Sequence, residues 1–524
     1  LERWSRDPEQ PRRAFAQLYW ARMDMRAGRR EHALKLFDDL RKDGARIPGI
    51  SGGYLEFAQV AAAEGQNDRA IAILEEARAQ HPTPEELARI EMLQGELLFA
   101  AKRFNQATNR FEEAALNSAV VAAPARYNAS LGWLEQGKQD QFIKVRDELQ
   151  KSGADPESLG DLELNRGLVE AQKGSPSAIE SLRGFIRTHP GASRLSEAWV
   201  ALAEIAFHST PPQPDEARRD LQRASESKPT ATAQEHADYL SIWIADSASG
   251  HDAEVIERAN KFLSEHAASS FATDVRMKLA ETYYRQQDFA NAQTQFEIIS
   301  GQEPGGPLAE KALFFAAESA MSTMGPRALD RAIELFDAVA QMKGDLRWAA
   351  RNEEALIERR LNKPQDALLL YDEVLQGAAK AAEKREALCG KGDIFFELSS
   401  EDPKNLDKAI ESYNELATQS TPDGHWHNQA LFKKGVCLEK KSDRDGALSI
   451  FYSVLEEQTR PGHSPEFFWF YKAGFNAARL MEEASKWQSA ASIYEKLVAA
   501  GGTRSEEAKA RLDKLRLEHF LWSD

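Results

Sequence analysis

The chain has 524 residues, with 83 acidic side chains against 67 lysines and arginines, and a formal charge of −16. That balance argues against a nucleic-acid partner, which needs a basic face, although a locally basic groove fits inside an acidic total. No stretch approaches the ~20 apolar residues that span a bilayer, and two cysteines are too few to staple a chain of this length.

Taken from its start, the chain opens with LERWSRDPEQPRRAF, at Leu1 rather than Met. A trimmed or processed N-terminus is expected, so the lack of an export signal or lipid anchor says nothing about the compartment. The residues before Ala14 are expected to fray, or to be the stump of a longer protein. From there a small residue is followed four places later by a large apolar one, at intervals of about 38 residues. The pairs run Ala33/Phe37, Ala70/Leu74, Ala107/Phe111, a weak copy at Phe142, Ala178/Leu182 and Ala217/Leu221. They continue through Val255/Ala259, Ala292/Phe296, Ala332/Phe336, Ala367/Tyr371, Ala409/Tyr413, Ala447/Phe451 and Ala490/Tyr494, thirteen places in all.

One unit shows why these residue types recur. In KLAETYYRQQDFANAQTQFEIISGQEP, Ala280 lies on a first helix with Tyr283 beside it. A polar turn follows, then Ala292 and Phe296 on a second helix, which Pro304 ends. Ala280 and Ala292 are twelve apart across the turn, and their small size lets two antiparallel backbones approach. The same offset separates Ala21 from Ala33, Ala58 from Ala70, Gly95 from Ala107, Ala355 from Ala367, Gly435 from Ala447 and Ala478 from Ala490.

This pattern resembles the tetratricopeptide repeat over nearly the whole chain. The resemblance implies an all-α solenoid of about 13 helix-turn-helix repeats coiled into a right-handed superhelix. The usual period of that repeat is about 34 residues, and here extra residues fall between units, as in THPGASRLSEAW and SEHAASSFATDV. The lengthened form is similar to repeats of bacterial envelope proteins: outer-membrane assembly lipoproteins, Tol-Pal coordinators and exopolysaccharide-export scaffolds. The array is expected over residues 1–504, with the amphipathic segment 505–524 as a capping helix. Phe142 and Arg146 break the small–large rule, and Val255/Ala259 inverts it. Changes of curvature are expected near 137–160 and at the Pro-rich turn 209–216. Cys389 and Cys437 sit at unlike places in adjacent repeats, so two buried free thiols are expected rather than a bridge.

Little in the sequence points to catalysis. The glycines near Gly49 and Gly305 are turn residues with no strand before them, and no HExxH occurs. His425 and His427, with His463 in the next loop, supply at most half a metal site. No cofactor and no metal are expected, and the chain is read as no enzyme. The densest aromatic run, EFFWFYKAGF, cannot bury every ring on one face. Core packing accounts for most of it, and an aromatic anchor for a partner is the alternative, carried by Trp469 and Tyr471. Lys472, Asn476 and Asn128 fall about where such repeats line their concave face, and Trp426 lies in a loop suited to contact. A complete carboxylate clamp is not evident.

The function expected is a non-catalytic scaffold that binds a partner protein or peptide along a groove, in a bacterial envelope complex, periplasmic or envelope-associated. Any membrane association would come through a missing N-terminal anchor or a partner. The alternatives are a cytoplasmic co-chaperone or regulatory adaptor, a glycan-export scaffold, and the non-catalytic part of a larger protein.

Overall fold

The computed structural model describes residues 1–42, 50–323, 325, 327–421, 424–458 and 466–521. Gly49 and most of the loop QTRPGHSPE lie outside them. The described residues form 28 helices and no strand. None of these helices is long and apolar enough to cross a membrane.

Helix boundaries follow from local chemistry. Thr83 caps the helix Pro84–Ala100 by accepting from the Glu86 backbone N–H, while the Glu86 carboxylate accepts from the Thr83 N–H in return. Pro84 occupies the first turn, where a missing N–H costs nothing. Asp155 caps the helix Pro156–Gln172 by accepting from the Ser158 backbone N–H, and Pro156 again occupies the first turn. In nine of the thirteen units the turn between the two helices is built around one left-handed residue. Gly28, Gly65, Gly137 and Gly250 take that conformation, and so do Lys102, Gln287, Asn362, Ser442 and Ser485. Each stands five places before the first residue of its small–large motif. At Lys102 the hydrogen bonds run from its N–H to Phe99 O at 2.9 Å and from the Arg103 N–H to Leu98 O at 2.9 Å. That is the pattern that closes a helix with a left-handed residue.

The motif residues form the core. The first member is buried at all thirteen places, from Ala33 to Ala490, Phe142 and Val255 included. The second is buried everywhere except at Arg146 and Leu221, which are half-buried. Phe142 puts its ring where the other units carry a small residue. It shares a cluster with Trp133, Leu134 and Leu149, which supplies the bulk that Arg146 does not. The small residue on the first helix is a notch that the ring of the second helix fills. A Cβ on Gly95 would come within 2.5 Å of the Phe111 ring, and one on Gly435 within 2.5 Å of Phe451. Gly167 meets Leu182 in the same way, at 2.7 Å. Backbones therefore approach because one side donates no side chain and the other fills the gap.

The chain divides into two compact units, Leu1–Glu254 and Val255–Asp524. The places where a change of curvature was expected, 137–160 and 209–216, both lie inside the first. In the first unit each helix packs on the next, and first helices of successive pairs also touch. Ile50–Ala63 meets Pro84–Ala100, Ala122–Glu135 meets Pro156–Gln172, and the latter meets Leu195–Phe207. Contacts between neighbours alone are what makes a solenoid. The second unit repeats the scheme, with Arg347–Arg360 on Ala381–Leu398, then His425–Lys440 and Phe467–Glu483. Its last helix, Ser505–His519, lays Ala508, Leu512 and Leu515 on the final pair, and the His519 ring stacks on Trp487 at 3.7 Å.

Candidate partner-binding face

In each unit the first helices lie side by side and carry the polar residues that could meet a partner. In the second unit this face is a ladder of charges between successive first helices. Arg359 pairs with Glu397, and Arg479 reaches Glu439 at 2.7 Å. Between them Asp393 accepts from Lys433 Nζ and from the Tyr413 hydroxyl, each at 2.6 Å. Lys433 also lies 3.2 Å from Cys389 Sγ. Burial pushes the Tyr413 phenol well up and the Cys389 thiol up, and it raises Cys437 to about 12. Burial works against the Lys433 charge, but the Asp393 carboxylate beside it holds the ammonium above its usual range. Both thiols are buried and free, as the sequence led us to expect. Their raised pKa values keep them protonated, the opposite of what a nucleophilic or metal-binding thiolate needs.

The aromatic run lies on the helix Phe467–Glu483, capped by Glu466, which accepts from the Trp469 N–H at 3.0 Å. Tyr471 is wholly buried; its hydroxyl donates to Leu497 O at 3.0 Å and accepts from the Gly502 N–H at 3.1 Å. Trp469 is 6% exposed, and its indole N–H donates to His425 Nε2 at 3.3 Å. This corrects the expected anchor. Both side chains are committed to the protein's own core, because the helix turns them toward its neighbours. The ring that reaches solvent is Phe468, 54% exposed. Lys472 stands over Phe468 at 4.3 Å and Trp469 at 4.7 Å, with Phe432 at 5.9 Å, a cation held by ring faces. Among the described residues no carboxylate pairs with it. Asn476 donates to Lys472 O at 2.8 Å and accepts from Arg479, so it supports the ladder. Trp426 is half-buried and packs against the cluster of Leu388, Leu406 and Leu416.

The histidines have protein partners. With Nε2 accepting from Trp469, His425 turns its Nδ1 to Glu466 at 3.2 Å, which assigns the proton to Nδ1. His427 Nδ1 lies 3.0 Å from Ala417 O. His463 lies outside the described residues.

Asn128 belongs to the first unit, where it lines a cavity of about 190 Å³ with Glu96, Phe99, Phe111 and Leu131. A larger cavity of about 470 Å³ opens over the helices Pro156–Gln172, Leu195–Phe207 and Ala231–Asp246. Its walls include Leu168, Val200, Ala201 and Ile205, with Glu197 and Glu204 among its polar residues. Sequence reasoning missed both cavities and Phe468. A signal was available, since Glu96 and Leu168 each directly follow a notch glycine, Gly95 and Gly167. The small residue faces the second helix, and its successor, about a quarter-turn on, faces the groove.

Residues 277–347 and 352–425, both within the second unit, match the tetratricopeptide repeat family model. No curated protein is significantly similar in sequence. Among solved structures, yeast Tom70 is 13% identical, over 91% of this chain and 97% of that one, with a TM-score of 0.33. Cut9, from the APC/C hetero-tetramer Cut9–Hcn1, is 12% identical over 96% of each chain, with a TM-score of 0.32. The structure of Naa15/Naa10 bound to HypK gives 12% identity over 97% of each chain and a TM-score of 0.35. Likeness at this level carries nothing about partners.

Proposed function

We propose that the chain is a tetratricopeptide-repeat array throughout, as its second unit matches that family over residues 277–347 and 352–425, and that it is a non-catalytic scaffold in a bacterial cell-envelope complex, holding a partner protein or peptide along its first-helix face. The observation that carries this reading is the contrast between the two sides of a repeat. Notches such as Gly95 and Gly435 are filled by the protein's own rings, while the first-helix face of the first unit keeps open cavities of about 470 and 190 Å³. A preformed concave surface that needs no rearrangement suits an extended segment or a helix. The envelope assignment rests on the lengthened repeats alone.

Fractionation of the source organism, with the tagged protein recovered under crosslinking, tests both parts. The expected result is co-sedimentation with envelope material, and a partner set that Leu168→Glu depletes. Recovery from the cytosol would remove the envelope assignment. A partner set unchanged by Leu168→Glu and by Phe468→Ser would remove the first-helix face.

A further inference from the structure

The two cavities of the first unit share a composition that narrows what they can hold. The larger has an apolar floor of Leu168, Val200, Ala201 and Ile205, and the smaller has Phe99, Phe111 and Leu131. Each also presents a carboxylate, Glu204 in the larger and Glu96 in the smaller. Neither is lined by a lysine or an arginine.

Several acidic groups on the first helices of this unit are matched by a cation: Glu56 by Arg22 at 2.8 Å, Glu170 by Arg166 at 2.9 Å, and Glu197 by Arg194 at 2.6 Å. Among the described residues neither Glu204 nor Glu96 has an ion-pair partner. For Glu96, desolvation alone raises the carboxyl above its usual range, with no cation to pull it back. Both carboxylates are exposed to solvent at the edge of their hollows, where a ligand that fills the hollow and carries a cation can pair with them.

We propose that the first unit's groove binds an extended polypeptide segment in which apolar side chains alternate with lysine or arginine. The apolar groups fill the two hollows, and the basic groups pair with Glu204 and Glu96. An extended strand sends successive side chains to opposite sides, so apolar and basic groups at short spacing can meet floor and rim separately. The aliphatic stem of arginine or lysine also suits an apolar wall with a carboxylate at its edge. This rests on the scaffold reading above and adds the chemistry of the partner.

The test uses the full chain and three short synthetic peptides that alternate leucine with arginine, glutamine or glutamate, each fluorescently labelled. Anisotropy is read at a single fixed pH of 8. The arginine peptide is expected to bind most tightly. Glu204→Gln and Glu96→Gln should each weaken it about twofold to fivefold, as loss of one exposed ion pair does, with unchanged melting temperature. Leu168→Gln should weaken all three peptides, and added salt only the arginine one. Equal or tighter binding of the glutamine or glutamate peptide would overturn the proposal, as would indifference of the arginine peptide to both Glu→Gln changes, or no binding by any of the three. Each of those results leaves the scaffold reading standing, because that reading is decided by the partners recovered from the organism.

Discussion

The Phe111 ring occupies the space where a side chain on Gly95 would stand, so the two residues form one joint between the helices of a repeat. Gly95→Val should therefore cost about 1–3 kcal/mol, as overfilling of a packed core does. Gly184, on the helix Ala178–Thr188, has open space around it: a Cβ there would meet nothing within 4 Å. Gly184→Ala should stabilise by roughly 0.5–1 kcal/mol through helix propensity. Urea melts followed by circular dichroism should move the two midpoints in opposite directions.

The left-handed turn residue gives a second expectation. Gln287 has a φ of 62° at the place where Gly65 has 75°. Gln287→Gly should relieve a strain of about 1 kcal/mol and raise the melting temperature, whereas Gly65→Val should lower it. A fall in melting temperature with Gln287→Gly would show that the side chain compensates locally for its strained backbone.

Burial places the Cys437 thiol at about 12 and raises Cys389 as well. In the native protein at pH 8 both should react with a disulfide reagent far more slowly than a free thiol, and both should titrate at once in guanidinium. One fast thiol in the native state would contradict the packing around the pair.

The Thr83 backbone N–H holds the Glu86 carboxyl below its usual range. A folded-state pKa below the unfolded one gives stability that is full above the unfolded value and is lost as pH falls through the folded one. Glu86→Ala should cost about 0.5–1 kcal/mol at neutral pH, at the low end because the pair is exposed to solvent. The gap between the two proteins should narrow below about pH 4.5, a value near the ordinary glutamate pKa. Chemical denaturation at a series of pH values reads this directly.

The repeat architecture was legible because it depends on side-chain size at fixed offsets, and size is written in the residue names. Ala33, Ala292 and Ala490 are buried where their spacing put them. Exposure within the aromatic run was not legible. Phe468, Trp469 and Tyr471 are adjacent and chemically alike, and only the direction of the helix decides that the first meets solvent while the other two meet His425 and Leu497. The turn was half legible: Gly28, Gly65 and Gly137 announce a left-handed residue, but Lys102 and Gln287 take it through the bonds of the turn rather than by their own preference. Asn128 was found without its cavity, because Glu96 and Phe99 come from the preceding repeat.

Within each unit a helix rests on those next to it in the sequence and on the matching helix of the adjacent pair, and that governs how the protein would come apart. Strain at one joint has no distant contact through which to spread. Heat or force would then peel hairpins from the ends in sequence, leaving the middle ordered, and a protease would trim the array in steps about one repeat long. The same economy lets such a chain gain or lose a repeat in evolution without redesigning the remainder.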